Sequence, residues 1–174
     1  MSRLFAVVLG GRAPKGNTEL HDTVFVAGDT IEATYGQLLG KWFGQPERLH
    51  LDSWMEIAAA DGHRVTLGGA PTPGKRLWYV NLGTYAEGQF AELHANGLFV
   101  AASADEAKAR AKAELLKGWR GDVHTDDVLD VEATLALPGV TLGLEADPAA
   151  PPPVLHNGYH PVPKDAIAAF KAGS

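Results

Sequence analysis

RLFAVVLG, residues Arg3 to Gly10, recurs as RLWYVNLG, residues Arg76 to Gly83, and the offset of 73 between them decides how the chain is organised. The repeat extends well beyond one segment. Glu19-Leu20-His21 returns as Glu92-Leu93-His94 at the same offset, and VFVAGDTIEA (Val24 to Ala33) returns as LFVAASADEA (Leu98 to Ala107) at 74. LHLDSWMEI (Leu49 to Ile57) then matches VHTDDVLDV (Val123 to Val131), again at 74. The expected organisation is a tandem duplication, with one copy over residues 1–72, a second over 73–147 and a tail over 148–174. An apolar run after Arg3 also resembles a leader peptide, but its recurrence in mid-chain makes both runs strands. A bacterial-type cytoplasmic location is the corresponding expectation.

Each copy reads as the same series of elements. The first strand is apolar at nearly every position, as a strand covered on both faces must be. A glycine-bearing loop and the ELH segment lead to a second strand, Thr23 to Ala27 or Gly97 to Ala101. A helix follows, with Asp29 or Ser103 expected as N-cap and Glu32 or Glu106 at capping-box spacing. Ile31, Tyr35, Leu38, Leu39 and Trp42 make one apolar stripe, and Ala107, Ala111, Leu115 and Trp119 the other. The pattern then changes to a period of two, in which Leu49, Leu51, Met55 and Ile57 alternate with His50, Asp52, Trp54 and Glu56. Asp61-Gly62 and Pro138-Gly139 are expected to turn the chain into a final strand. The fold class expected is α+β: a duplicated ββαββ unit, mostly antiparallel with one helix per copy, the copies in a pseudo-twofold arrangement. In the tail, residues 148–153 predict an extended linker, His156 to His160 a turn, and Pro163 to Ala172 a short helix ended by Gly173.

Composition narrows the function classes. Fifteen basic residues against 21 acidic ones give a net charge of −6, with no basic stripe to meet a phosphate backbone, so a nucleic-acid partner is not expected. No apolar run approaches the roughly 20 residues that span a bilayer, so a membrane partner is not expected either. The absence of cysteine removes disulfide frameworks, thiolate metal sites and cysteine nucleophiles together. Most of the acid lies in the second copy.

Two groups of residues carry chemistry. Gly10, Gly11, Arg12, Lys15 and Asn17 form a loop that approaches a phosphate-loop pattern, but Asn17 stands where lysine is needed and a strand follows instead of a helix. The remaining reading is a small-anion cradle. The sharper group is the pair of His–carboxylate motifs in each copy: Glu19 and His21 with His50 and Asp52, and Glu92 and His94 with His124 and Asp126. Extended backbone puts each pair on one side, and imidazoles with carboxylates hold a divalent metal or move protons when they converge. The competing reading is that each histidine simply hydrogen-bonds a carboxylate and fixes its loop. Trp54, between Asp52 and Glu56, is the one aromatic expected to be exposed as a contact residue.

LGGRAPKGNTELHD in the first copy, and LGTYAEGQFAELH with the following helix and HxD strand in the second, resemble a small bacterial family known as domain of unknown function 1543. The resemblance rests on Gly10, Gly11, Arg12, Pro14, Asn17, Glu19, His21 and Asp22, and on Leu82, Gly83, Tyr85, Gly88, Phe90, Glu92 and His94. It spans about residues 3–147 and implies an α+β fold, but it brings no activity, substrate or catalytic residue.

The functional expectation is a non-catalytic module that binds a small molecule or a protein, in a chain compatible with homodimer formation. No cofactor is evident beyond the divalent metal that the His–carboxylate motifs would accept. The alternative is a metal- or anion-dependent small-molecule enzyme using the ELH and HxD residues.

Overall fold

The computed structural model describes residues 2–119 and 121–173, and the chain divides into two compact units. One is formed by residues up to Ala58 together with those from Pro152 onward; the other is Ala59–Pro151. These units do not follow boundaries at residues 72 and 147. The fold is α+β with antiparallel sheets and four α-helices among the described residues, and none of these helices is long and apolar enough to cross a membrane.

The first unit is built on β1 (Arg3–Gly11), β2 (Leu20–Gly28), β3 (His50–Glu56) and β10 (Leu155–Pro161), in the order β10-β3-β1-β2. β1 is central and buried along most of its length, as its continuous apolar sequence requires. Its odd residues Phe5, Val7 and Leu9 join Val24, Val26 and Leu51 under α1 (Tyr35–Lys41) and α4 (Lys164–Ala172). The expected stripe is realised: Ile31, Leu38, Leu39 and Trp42 enter this core and Tyr35 packs against it. Its cap is not. Asp29 does not cap this segment; the Thr30 hydroxyl accepts from the N–H of Ala33 at 3.3 Å, one residue later than expected.

Two expectations for β3 and the tail fail for identifiable reasons. Leu9 pairs with Leu51 and Val8 with Ser53, so Asp52 is an extra residue in the ladder, a β-bulge. The bulge reverses the alternation beyond it. Trp54 therefore comes to lie opposite Val7 on the core face, edge-on to Phe5 and covered by the His156 ring at 3.9 Å, and is no exposed contact residue. The segment 156–160 is not a turn but part of β10, with a register shift at Gly158, whose φ is +136°. α4 forms as expected and ends at Gly173.

The second unit contains β6 (Arg76–Thr84), β7 (Leu93–Ala101) and β8 (Val123–Asp130), in the order β7-β6-β8, with α2 (Ala104–Leu115) contributing Ala107 and Ala111 to the core. Ser103 caps α2 as expected, accepting from Glu106 N–H at 3.2 Å, while the Glu106 carboxylate accepts from Ala102 N–H at 2.9 Å. Trp119 lies beyond α2 and is half-buried. Leu82 pairs with Thr125 and Asn81 with Asp127, so Asp126 is bulged as Asp52 is, and Val128 turns to the core instead of the polar face.

A further sheet, β4-β5-β9, completes this unit. Asp61 (φ +49°) and Gly62 (φ +67°) make the expected tight turn between β4 (Ala59–Ala60) and β5 (His63–Leu67). The hairpin expected at Pro138-Gly139 is absent. Val131 instead opens α3 (Val131–Leu135), capped by Asp130 through the N–H of Ala133, and β9 (Leu142–Ala146) pairs with β5. The last strands of both expected ββαββ copies thus pair with each other.

Candidate functional site

The β1–β2 ladder pairs Gly10 with His21, and the β1–β3 ladder pairs Gly10 with His50. Paired residues share a face, so both imidazoles stand on either side of a residue with no side chain. Glu19 immediately precedes β2, and the bulge presents Asp52 to the same point. The result is a quartet. Glu19 Oε1 lies 2.8 Å from His50 Nε2 and 3.7 Å from His21 Nε2, while Asp52 reaches His21 Nε2 at 3.1 Å and His50 Nε2 at 3.3 Å. A Cβ on Gly10 would lie 2.5 Å from His50 Nε2 and 2.6 Å from Asp52 Oδ2. Glycine is what leaves this space open.

The second unit assembles the same residue types. Gly83 pairs with His94 and His124, and a Cβ there would meet Glu92 Oε1 at 2.5 Å and Asp126 Oδ2 at 2.6 Å. His124 Nε2 lies 2.6 Å from Glu92 and 3.0 Å from Asp126; His94 lies 3.7 Å and 3.1 Å from the same two residues. Each quartet is completed within its own unit.

The electrostatics of these clusters are unusual for simple hydrogen bonding. His50 is 4% exposed, and its Nδ1 lies 3.1 Å from the carbonyl oxygen of Arg48, which can only accept. Nδ1 therefore carries a proton, and Nε2 faces the Glu19 and Asp52 carboxylates. Nε2 is thus the ring atom available to a partner held by those carboxylates. Asp52 Oδ2 and Glu92 Oε1 are sealed from solvent and, among the described residues, accept no hydrogen bond of good geometry. Glu19, His50 and Asp52, and likewise Glu92, His94 and Asp126, can each offer donors within 4.8 Å of one another. Donors around a dication at bonds of about 2.1 Å sit roughly 3.0–3.4 Å apart, near the imidazole–carboxylate spacings of 2.6–3.7 Å; His21 and His124 touch the same carboxylates but lie outside these three-residue groups.

Each quartet also carries a tyrosine. The Tyr159 ring from β10 lies 4.5 Å from His50, and the Tyr85 ring, from the loop after β6, stacks 5.6 Å from His124. The Glu92 carboxylate, followed by burial, pushes the Tyr85 phenol upward from its usual range. Neither ring was among the candidates from sequence. Tyr159 lies in the tail, outside the repeat, and had no signal; Gly83 could have been found by carrying Gly10 across the offset of 73.

Other candidates fall elsewhere. Gly11 packs against Trp42 and the Arg48 carbonyl, where a Cβ would be 2.9 Å from each. Arg12, Lys15 and Asn17 are exposed, and Arg12 Nη1 donates to the Asn17 carbonyl at 3.0 Å, closing the loop on itself. Glu56 pairs with Arg3, and Asp130 with Arg76. A cavity of about 190 Å³ in the second unit is lined by Thr72, Lys75, Arg76 and Glu132 and shares no residue with the quartet.

A family model, Domain of Unknown Function (DUF1543), matches residues 16–67, which include Glu19, His21, His50 and Asp52. The crystal structure of a protein Il1583 from Idiomarina loihiensis is similar at 33% identity and a TM-score of 0.69, over 94% of this chain and 99% of that one. The chain belongs to the DUF1543 family. No curated protein matches the sequence of this DUF1543 member. The family description assigns no chemistry, so the reading of its quartets rests on their geometry.

Proposed function

We propose that this DUF1543 protein is a metal-binding module with one mononuclear divalent-cation centre in each unit. Glu19, His50 and Asp52 hold the first ion with His21 beside them, and Glu92, His94 and Asp126 the second with His124 beside them. The observation that carries this reading is the convergence, in both units, of two imidazoles and two carboxylates over a glycine whose missing Cβ leaves room for an ion. A mixed nitrogen and oxygen donor set suits zinc, iron(II), cobalt or nickel; magnesium and calcium favour all-oxygen shells. The Arg48 carbonyl would hold the His50 ring in the tautomer that presents Nε2 to the metal.

The same reading includes an internal duplication. It is supported by the offset of 73, by matching strand orders β3-β1-β2 and β8-β6-β7, and by bulges at Asp52 and Asp126. A repeated fold repeats its hydrogen bonds as well, so the test is metal content. The full chain dialysed against zinc, cobalt or nickel is expected to retain two equivalents by elemental analysis. A Glu19→Gln, Asp52→Asn variant retains one. Zero equivalents with all three metals, or two in that variant, would overturn the reading.

A further inference from the structure

The ring-on-imidazole contact is built twice by unrelated segments. Tyr85 belongs to the loop that follows β6, at the position aligned with Arg12 in the first copy, where no ring is available. The first unit obtains its tyrosine from β10 instead, nearly the whole chain away from β1. Neither ring is spent on the core: Tyr85 is 63% exposed and Tyr159 is 71% exposed, so each offers its outer face to solvent beside the quartet.

The quartets set the other half of the requirement. Three protein donors lie within 4.8 Å of one another in each unit and leave positions open on a zinc ion that takes four or five ligands, and the solvent side is accessible because His21 is 55% and His94 46% exposed at the side chain. A ligand fitting both features has two adjacent oxygens to chelate the metal and a flat apolar group to lie against the phenol ring.

We propose that each centre binds a small planar organic chelator, with Tyr159 in the first unit and Tyr85 in the second as the aromatic wall that selects it. This rests on the metal-centre reading above and adds the ligand class. A Tyr→Phe change keeps the wall, whereas Tyr→Ser removes it without opening the core, since both rings are mainly exposed.

The test uses the full chain loaded with zinc, and benzohydroxamate against acetohydroxamate as probes, two anions with the same chelating oxygens and different attached groups. The loaded protein is expected to bind benzohydroxamate about tenfold more tightly, the size of one aromatic contact with its buried area. A Tyr85→Ser, Tyr159→Ser variant should retain its zinc and lose most of that preference, and the corresponding Phe variant should keep it. Equal binding of the two probes by the loaded protein, or an undiminished preference in the Ser variant, would overturn the ligand class while leaving the metal centres standing. Failure to load zinc, cobalt or nickel would overturn the metal reading and this proposal with it.

Discussion

His50 Nε2 lies 2.8 Å from Glu19 Oε1 while the opposite nitrogen of the same ring faces the Arg48 carbonyl at 3.1 Å. A buried imidazole placed between an anion and a carbonyl oxygen is held by both, so His50 supports its unit. Its counterpart His124 is 43% exposed at the side chain and 5.6 Å from Tyr85. In metal-free protein, His50→Ala is expected to cost about 1–3 kcal/mol more than His124→Ala, because His50 is buried and also serves the Arg48 carbonyl, whereas His124 is half exposed. Urea denaturation of the two variants measures the difference, and equal losses would contradict it.

The glycines beneath the quartets give the cleanest separation of binding from folding. In Gly10→Ala the new methyl would sit 2.6 Å from Asp52 Oδ2, the end of a movable side chain, and 2.5 Å from Nε2 of the buried His50 ring, which must tilt away from the Arg48 carbonyl. Those ends are displaced while the strand is kept. Metal affinity of the first centre should fall by at least about tenfold, with a stability change within roughly 1–2 kcal/mol. Isothermal titration should show one tight site where the unmodified chain shows two.

Metal addition should also be visible in thermal melting. A free dication at 100 times its dissociation constant stabilises a centre by about 2.7 kcal/mol. For a chain of this size that is a rise of roughly 5–10 °C. Scanning calorimetry with and without zinc is the measurement, and no rise would count against two preformed centres.

Asp61 ties the β4–β5 turn into the second unit. Its carboxylate accepts from Arg110 at 2.6 and 2.7 Å and from the Val100 N–H at 2.7 Å. Burial alone would push this carboxyl up, but the Arg110 guanidinium and the Val100 amide hold it below its usual value. A depressed folded value gives stability that is complete above the unfolded carboxyl pKa of about 3.9 and is lost as pH falls through the folded one. Asp61→Asn, which tolerates the same positive φ, should lose about 1–2 kcal/mol at neutral pH and flatten the acid limb below about pH 4. Melting curves from pH 2 to 7, a range chosen to bracket the usual carboxyl value, test the sign.

The tail is structural in the first unit. Val162 and Ile167 are buried in its core, and β10 covers β3. Deleting residues 152–174 removes these two buried side chains and uncovers the Trp54 face, at about 1.5–3 kcal/mol for each aliphatic residue lost. Hydrogen exchange should then rise in β3 while β6 to β8 stay protected, and unchanged protection of β3 would refute the assignment.

Several local features were legible before any coordinates. The strand RLFAVVLG, the Asp61-Gly62 turn, the Ser103 cap and the α4 helix each follow from a few neighbouring residues, whose φ preferences and side-chain bonds act over one or two turns of chain. The donors Glu19, His21, His50 and Asp52 could be named as types at suitable spacing, because alternation fixes which residues share a face. What could not be read were events depending on a partner far along the chain. The bulge at Asp52 reverses the phase of β3 and turns Trp54 inward, since the ladder with β1 decides it. The hairpin at 59–67 pairs with β9, and β10 joins β3, because hydrogen-bonding edges accept whichever strand the completed core brings to them. The sequence by itself determined the first strand of each copy, the Asp61-Gly62 turn and the residue types of each quartet; only tertiary pairing brought each quartet over its glycine and set a tyrosine beside it, because strand register is a property of two segments and never of one.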